Sequence, residues 1–124
     1  MAESNQFPIE FTLVSEWDLS GRQYAGVIAS TAVDKAVRVS SLVGTAIIGV
    51  VQNKPTSGRA ARVRTHGITK ALAGVAITRG TRVDVDAGGY MRPTVSSNYA
   101  GYALETVVVS ATFEMVLNPQ YTGA

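Results

Sequence analysis

Short runs in which apolar and polar residues alternate recur along the whole chain, and they limit the fold more than any other feature. They repeat about every eight to twelve residues, with Gly, Asn, Asp and Pro between them. A period of two is that of a strand with one buried face. No segment sustains the helical apolar period, and we expect at most a turn or two of helix near residues 72–77. The prediction is an all-β fold, a small barrel or sandwich of short, mainly antiparallel strands with an extended N-terminal arm.

Two turns have clear local signatures. In the stretch RVDVDAGGYMRP, residues 82–93, two alternating runs flank Asp-Ala-Gly-Gly, and glycines there permit the positive φ of a hairpin loop. The polar corner QNKPTSG, residues 52–58, follows the apolar run TAIIGVV and precedes the strand AARVRT. We expect His66 and Gly67 to break that strand before it continues as ITKAL. A weak similarity of IIGVV and ARVRT to AGYAL and ATFEM is too slight to establish a duplication.

The 124 residues suit one domain. We divide them into an N-terminal arm, residues 1–9, a β domain, residues 10–118, and a short tail, residues 119–124. The alternation of Ile9, Phe11 and Leu13 has interpretations that the sequence leaves open. The segment adds as a strand to the sheet edge of a partner, or forms the first strand of its own domain, or combines an arm over residues 1–9 with a strand over residues 10–15.

The composition lacks the usual chemistry of enzymes. There is no cysteine, which excludes disulfides and thiolate sites, and a single histidine, His66, cannot supply a zinc site. Serine elbows, phosphate-binding loops and paired carboxylates are missing as well. We therefore predict no catalytic residue, no metal, no cofactor and no small-molecule substrate. No window approaches the about 18 apolar residues that span a bilayer, so no membrane partner is expected.

Charge is distributed unevenly along the chain. Nine basic and no acidic residues lie between Lys35 and Arg82. Arg59, Arg62 and Arg64 would form a basic stripe, which suits either a solvated face or a contact surface. An alternative function is therefore a small β-barrel that binds single-stranded nucleic acid. The absence of aromatic residues between Tyr24 and Tyr90 counts against it, because such proteins stack bases on aromatic rings.

The stretch IGVVQNKPTSGRAARVRTHGITKALAGVAITRGTRVDVDAGGYMRP, residues 48–93, carries a family resemblance. Its Gly-Val-Val-Gln-Asn-x-Pro corner and the ordered glycines and valines after it resemble the capsid decoration, or cement, proteins of tailed bacteriophages. The closing AGYALET and ATFEMVL also resemble the last two strands of that family, and the match runs from about Leu19 to Leu117.

This resemblance implies a non-enzymatic virion protein, made in the host cytoplasm and bound to the outer surface of the mature icosahedral capsid. Its partners would be the major capsid protein and further copies of itself, as a homotrimer, with no direct nucleic-acid contact. It would stabilise contacts between capsomers. The resemblance supplies no contact motif, so the candidate contact residues come from the arm, the lone tryptophan and the basic stripe alone. They are Phe7, Pro8, Ile9, Phe11, Trp17, Arg59, Arg62 and Arg64.

Overall fold

A computed structural model describes residues 8–40 and 45–121 of the chain. Phe7 and most of the predicted arm lie outside the described residues. Within them the protein has nine strands and no helix, which confirms the all-β prediction. The strands are β1 (Ile9–Ser15), β2 (Gly26–Ala29), β3 (Ala36–Val39), β4 (Gly49–Val51), β5 (Ala60–Leu72), β6 (Arg82–Val85), β7 (Met91–Pro93), β8 (Tyr99–Ala103) and β9 (Thr112–Gln120).

Five strands close into a small barrel. Their order is β1-β3-β2-β4-β5, and β5 pairs back onto β1. The β1–β3 pair is parallel, and the other four are antiparallel. The polar corner at residues 52–58 closes the β4–β5 hairpin, where the Asn53 side chain bonds the backbone of both Ala60 and Arg62 at 3.0 Å. The corner is thus structural.

The long strand β5 joins the barrel to a second sheet. Its first half pairs with β1 and β4, and its second half pairs with β9. The predicted break at His66 and Gly67 is wrong, because β5 runs through both residues while its partner changes from β1 at His66 to β9 at Gly67. Gly67 adopts a φ of 111°, and a Cβ there would lie 3.0 Å from the Pro8 Cα, so this position bends the strand without ending it.

The second sheet has the order β5-β9-β8-β6-β7. The predicted hairpin at residues 82–93 is confirmed as β6 and β7, with Gly88 and Gly89 at positive φ in the turn. No helix forms at residues 72–77, where Ala73 and Ile77 make isolated bridges instead. Strand β9 continues to Gln120, beyond the boundary predicted at residue 118.

Residues 71–85 and 101–115 form an internal structural repeat. Ile77 and Val107 exchange backbone hydrogen bonds of 3.0 and 2.9 Å. Around that bridge, Gly80 donates to Ala103 at 2.7 Å, and Ser110 donates to Ala73 at 2.8 Å. Gly80 and Ser110, at equivalent positions, both have positive φ, 84° and 65°. The strand pairs β5–β9 and β6–β8 are related in the same way, so an approximate two-fold axis passes through this bridge.

The apolar residues form two cores. The barrel interior is filled mainly by Leu19, Ala25, Val27, Val37, Val39, Val51, Ala61 and Val63. The second and larger core underlies the second sheet, and its largest side chains are Phe113, Met91, Met115 and Leu117. Leu72 packs against the first core and Ala71 lies in the second, so β5 contributes to both.

Candidate interaction surface

The candidate site is a surface. Across residues 8–40 and 45–121 there is no cavity or cleft, and no cluster of three metal-ligating side chains. The same residues include no helix that is long and apolar enough to cross a membrane. His66 is exposed, with its ring nitrogen 3.2 Å from the Thr65 hydroxyl.

The described part of the N-terminal segment belongs to the barrel. Strand β1 pairs with β5 from Ile9 to Val14, so Ile9 lies in the strand and not in the arm. Pro8 is exposed and its backbone contacts Gly67. In the structure, the alternating residues from Ile9 onward form the first strand of the chain's own domain.

Phe11 and Ile9 are exposed even though they lie in this strand. Phe11 is opposite Val63, which is fully buried in the barrel, and residues opposite each other in a ladder share one face of the sheet. Phe11 is nevertheless 56% exposed, and Ile9 49%. The interior face of β1 is therefore uncovered at this end of the barrel.

Trp17 lies beside Arg38 of β3. The Arg38 guanidinium is 4.9 Å from the centre of the indole ring, within cation–π range. Its Nε is also 3.7 Å from the Glu16 carboxylate. Trp17 remains 40% exposed, so this stacking fixes the ring while leaving much of it open to contact.

The three arginines of the predicted stripe do not form one free surface. Arg59 and Arg62 are exposed. Arg64 is held within the chain, since its Nε donates to Glu10 Oε2 at 2.8 Å and its Nη1 donates to the Ile68 carbonyl at 2.7 Å. Glu10 and Arg64 are cross-strand partners in the β1–β5 ladder, a relation that only the register reveals.

Sequence reasoning missed an exposed group that we call the valine patch: Val75, Val108 and Val109. These side chains are 45%, 68% and 56% exposed and flank the bridge at the repeat axis. The run Val107-Val108-Val109 was the available signal, because a turn can bury only some of three consecutive valines. Val107 is the buried member of the run.

Two buried polar groups connect β6 to the C-terminus. The Asp84 carboxylate accepts hydrogen bonds from the Tyr121 hydroxyl at 2.9 Å and from the Val85 N–H at 2.8 Å. Burial raises the pKa of Asp84, although these bonds and the nearby Arg92 oppose the shift. Burial and the neighbouring carboxylate likewise raise the pKa of Tyr121. The Tyr121–Asp84 hydrogen bond ties residue 121 to β6, so Tyr121 belongs to the folded domain.

The described residues, 8–40 and 45–121, define a class of protein: an all-β domain with exposed apolar side chains and no enclosed site among them. The family model described as phage cement protein matches residues 22–117. The chain therefore belongs to the phage cement protein family, whose members are structural phage proteins.

The solved structures supply a similar fold. The N base of the head fiber gp8.5 of bacteriophage phi29 has a TM-score of 0.71 to this chain at 19% identity. The alignment covers 93% of this chain and 98% of that one. No curated protein matches the sequence. At this identity the likeness concerns the fold alone.

Proposed function

We propose that this protein is a decoration protein that binds the outer surface of the mature icosahedral capsid and stabilises the contacts between capsomers. Its partner is the major capsid protein. The observation that carries the proposal is the match of the phage cement family over residues 22–117, which includes seven of the nine strands completely and most of β9. The exposed apolar side chains of β1 and the valine patch support a role in binding, since exposed apolar groups commonly mark interaction sites.

The stabilisation follows from mass action. A copy that binds only the assembled shell shifts the equilibrium toward that shell, and the effect accumulates over the many equivalent positions of an icosahedral head. Individual contacts can then be weak. This mechanism needs no catalytic group and no cofactor.

The homotrimer is part of the same proposal. It predicts a particle of three times the 13.0 kDa chain mass, either free in solution or only after docking. Light scattering of the purified protein and the stoichiometry on isolated heads distinguish these two cases. A single copy at each occupied position, with no density for neighbours, would contradict it.

The proposal is tested by adding the purified protein to undecorated, expanded heads of the parent phage. We expect saturable binding, measured by sedimentation, and a higher temperature of head disruption, measured by calorimetry. Unexpanded heads serve as the control and should bind less. An unchanged disruption temperature despite full occupancy would contradict stabilisation, and a lack of binding to any form of the head would contradict the proposal as a whole.

No observation favours the nucleic-acid alternative. Arg64 is tied to Glu10, which leaves Arg59 and Arg62 as the free members of the stripe. The ring pair of Tyr99 and Tyr102 lies on β8 of the second sheet, whereas Arg59 directly precedes β5 and Arg62 lies at its start, in the barrel. We expect no salt-dependent retardation of single-stranded DNA by the protein.

A further inference from the structure

Strand β1 has neighbours on both sides only at its C-terminal end. Its pairing with β3 is confined to Val14 and Ser15, because β3 begins at Ala36. The Val14 N–H donates to the Lys35 carbonyl at 2.9 Å, on the β3 side. The Ser15 N–H points the other way and donates to Arg59 at 2.9 Å.

The direction of the remaining backbone groups follows from this alternation. Successive N–H groups of a strand point to opposite edges, so the N–H and C=O of Thr12 and Glu10 lie on the same edge as those of Val14. Among the residues that the structure describes, no strand lies beside Thr12 or Glu10 on that edge. We call residues 10–13, on this side, the β1 edge. It is a row of backbone donors and acceptors open to pairing.

The side chains at the β1 edge indicate that the barrel sheet has room for one additional strand beside β1. Leu13, which packs against the barrel core, and Phe11 lie on the interior face of the sheet. The exposure of Phe11 coincides with the place where β3 does not reach. A strand added to the β1 edge would continue the wall of the barrel, and one of its side chains would cover the Phe11 ring. Backbone pairing and apolar burial would therefore occur together.

We propose that the β1 edge receives an extended segment of the major capsid protein as an added strand. This inference rests on the function proposed above and names the contact through which that function is exercised. The segment would alternate, with apolar residues toward Phe11 and acidic or polar residues on the opposite face. The acidic preference follows from the exposed Arg62, which lies opposite Thr12, because the Glu10 carboxylate at this edge is already paired with Arg64.

Two other occupants fit less well. The first seven residues, MAESNQF, have no alternating apolar pattern, so the equivalent segment of a neighbouring copy is a poor match for Phe11. Direct pairing of two β1 edges would bring Lys35 and Arg62 of both copies to one interface, where like charges repel. The binding experiment with the Thr12 variants distinguishes both of these occupants from a capsid segment.

The test compares Thr12→Pro with Thr12→Ala in binding to expanded heads. Proline removes the Thr12 N–H, which is not used inside the barrel, whereas alanine removes only the side chain. We expect binding at least about tenfold weaker for Thr12→Pro, the loss of about 1.4 kcal/mol, and within about twofold of wild type for Thr12→Ala. Phe11→Ser should also weaken binding. Equal melting temperatures of the two Thr12 variants would establish that the barrel is intact.

Hydrogen exchange of the wild-type protein provides a second readout that needs no variant. The amides of Glu10 and Thr12 should exchange rapidly in the free protein and slowly on heads, while those of the paired β5 stay slow in both states. Slow exchange in the free protein would show that this chain already covers the edge, and would overturn the inference.

The remaining outcomes are also decisive. If the wild type and Thr12→Pro bound heads equally well, the inference would be overturned and the proposed function would still stand. If Thr12→Pro bound normally but lost its association with other copies, the edge would join copies, and the capsid strand would be wrong. If the wild type did not bind heads, the proposed function and this inference would fall together.

Discussion

At the scale of single residues, the buried carboxylate of Asp84 is the clearest electrostatic feature. Its pKa and that of Asp86 are raised, chiefly by burial. The folded protein therefore holds these protons more tightly than the unfolded chain, whose aspartates titrate near about 3.9. The stability contribution of both groups is greatest below that value and declines as the pH rises through the raised folded-state pKa.

Asp84→Asn should reduce this pH dependence. The amide oxygen can still accept the hydrogen bonds of Tyr121 and Val85, but no charge is buried. We expect the variant to be at least as stable as wild type at pH 7, and to gain less than wild type when the pH is lowered toward 4. Thermal unfolding, followed by circular dichroism at pH values between 4 and 7, measures both effects.

Asp18→Asn is the matched control for that experiment. Asp18 is exposed, and a hydrogen bond from the Ser20 N–H lowers its pKa. Its stability contribution is therefore present at neutral pH and is lost as the pH falls, opposite in sign to that of Asp84. A loss of stability in Asp84→Asn at pH 7, equal to or larger than that in Asp18→Asn, would contradict the account of Asp84.

Arg62 and Arg64 offer a second comparison at this scale. Arg64→Ala removes the hydrogen bonds to Glu10 and to the Ile68 carbonyl, and we expect it to lower the free energy of unfolding by about 1–2 kcal/mol. Arg62→Ala should change it by less than about 0.5 kcal/mol, because that side chain is exposed. Chemical denaturation measures both. Equal effects would mean that the Glu10–Arg64 pair contributes nothing to folding.

At the scale of the elements, the sequence predicted strands well and the relations between them poorly. The hairpin at residues 82–93 was predictable, because its glycines and its alternation are local signals. The continuity of β5 was not predictable, because a glycine ends many strands. Here Gly67 only bends the strand, where it lies against Pro8. The pairing of Glu10 with Arg64 depends on a register that no local pattern encodes.

The internal repeat shows the same limit of local patterns. Residues 71–85 and 101–115 agree in backbone course, yet only Ala73 and Ala103 are identical at equivalent positions. The two segments share the positions of most of their buried residues and one residue each at positive φ, Gly80 and Ser110. The weak similarity noted in the sequence compared AGYAL and ATFEM with residues 47–51 and 61–65, not with residues 71–85. The candidate contact residues Phe11 and Trp17 are exposed, and their role in contact stays a prediction; the valine patch and the β1 edge had no counterpart among the candidates.

Gly101 in β8 provides a prediction at this scale. A Cβ there would collide with the Val116 carbonyl oxygen of β9, at the irregular part of their ladder. Gly101→Ala should therefore destabilise the second sheet, by about 2–4 kcal/mol in chemical denaturation. Gly21→Ala is the control, since nothing lies within 4 Å of its Cβ position. Equal stabilities of the two variants would contradict the close β8–β9 packing.

At the scale of the whole molecule, a closed barrel and a second sheet share the single long strand β5. Among the residues that the structure describes, no strand pairs with the outer side of residues 10–13 of β1, and apolar side chains are exposed both there and in the valine patch. This arrangement suits a protein that acts by contact, in keeping with its family. The shared strand connects the barrel to the second sheet, so both surfaces belong to one folded unit.

The central claim concerns where this molecule binds. A cryo-electron microscopy reconstruction of expanded heads of the parent phage, with and without the added protein, tests it most directly. We predict additional density on the outer surface, at positions that bridge adjacent capsomers, into which the barrel and the second sheet fit with the β1 edge against the capsid protein. Heads that are identical with and without the protein, at saturating concentration, would contradict the account.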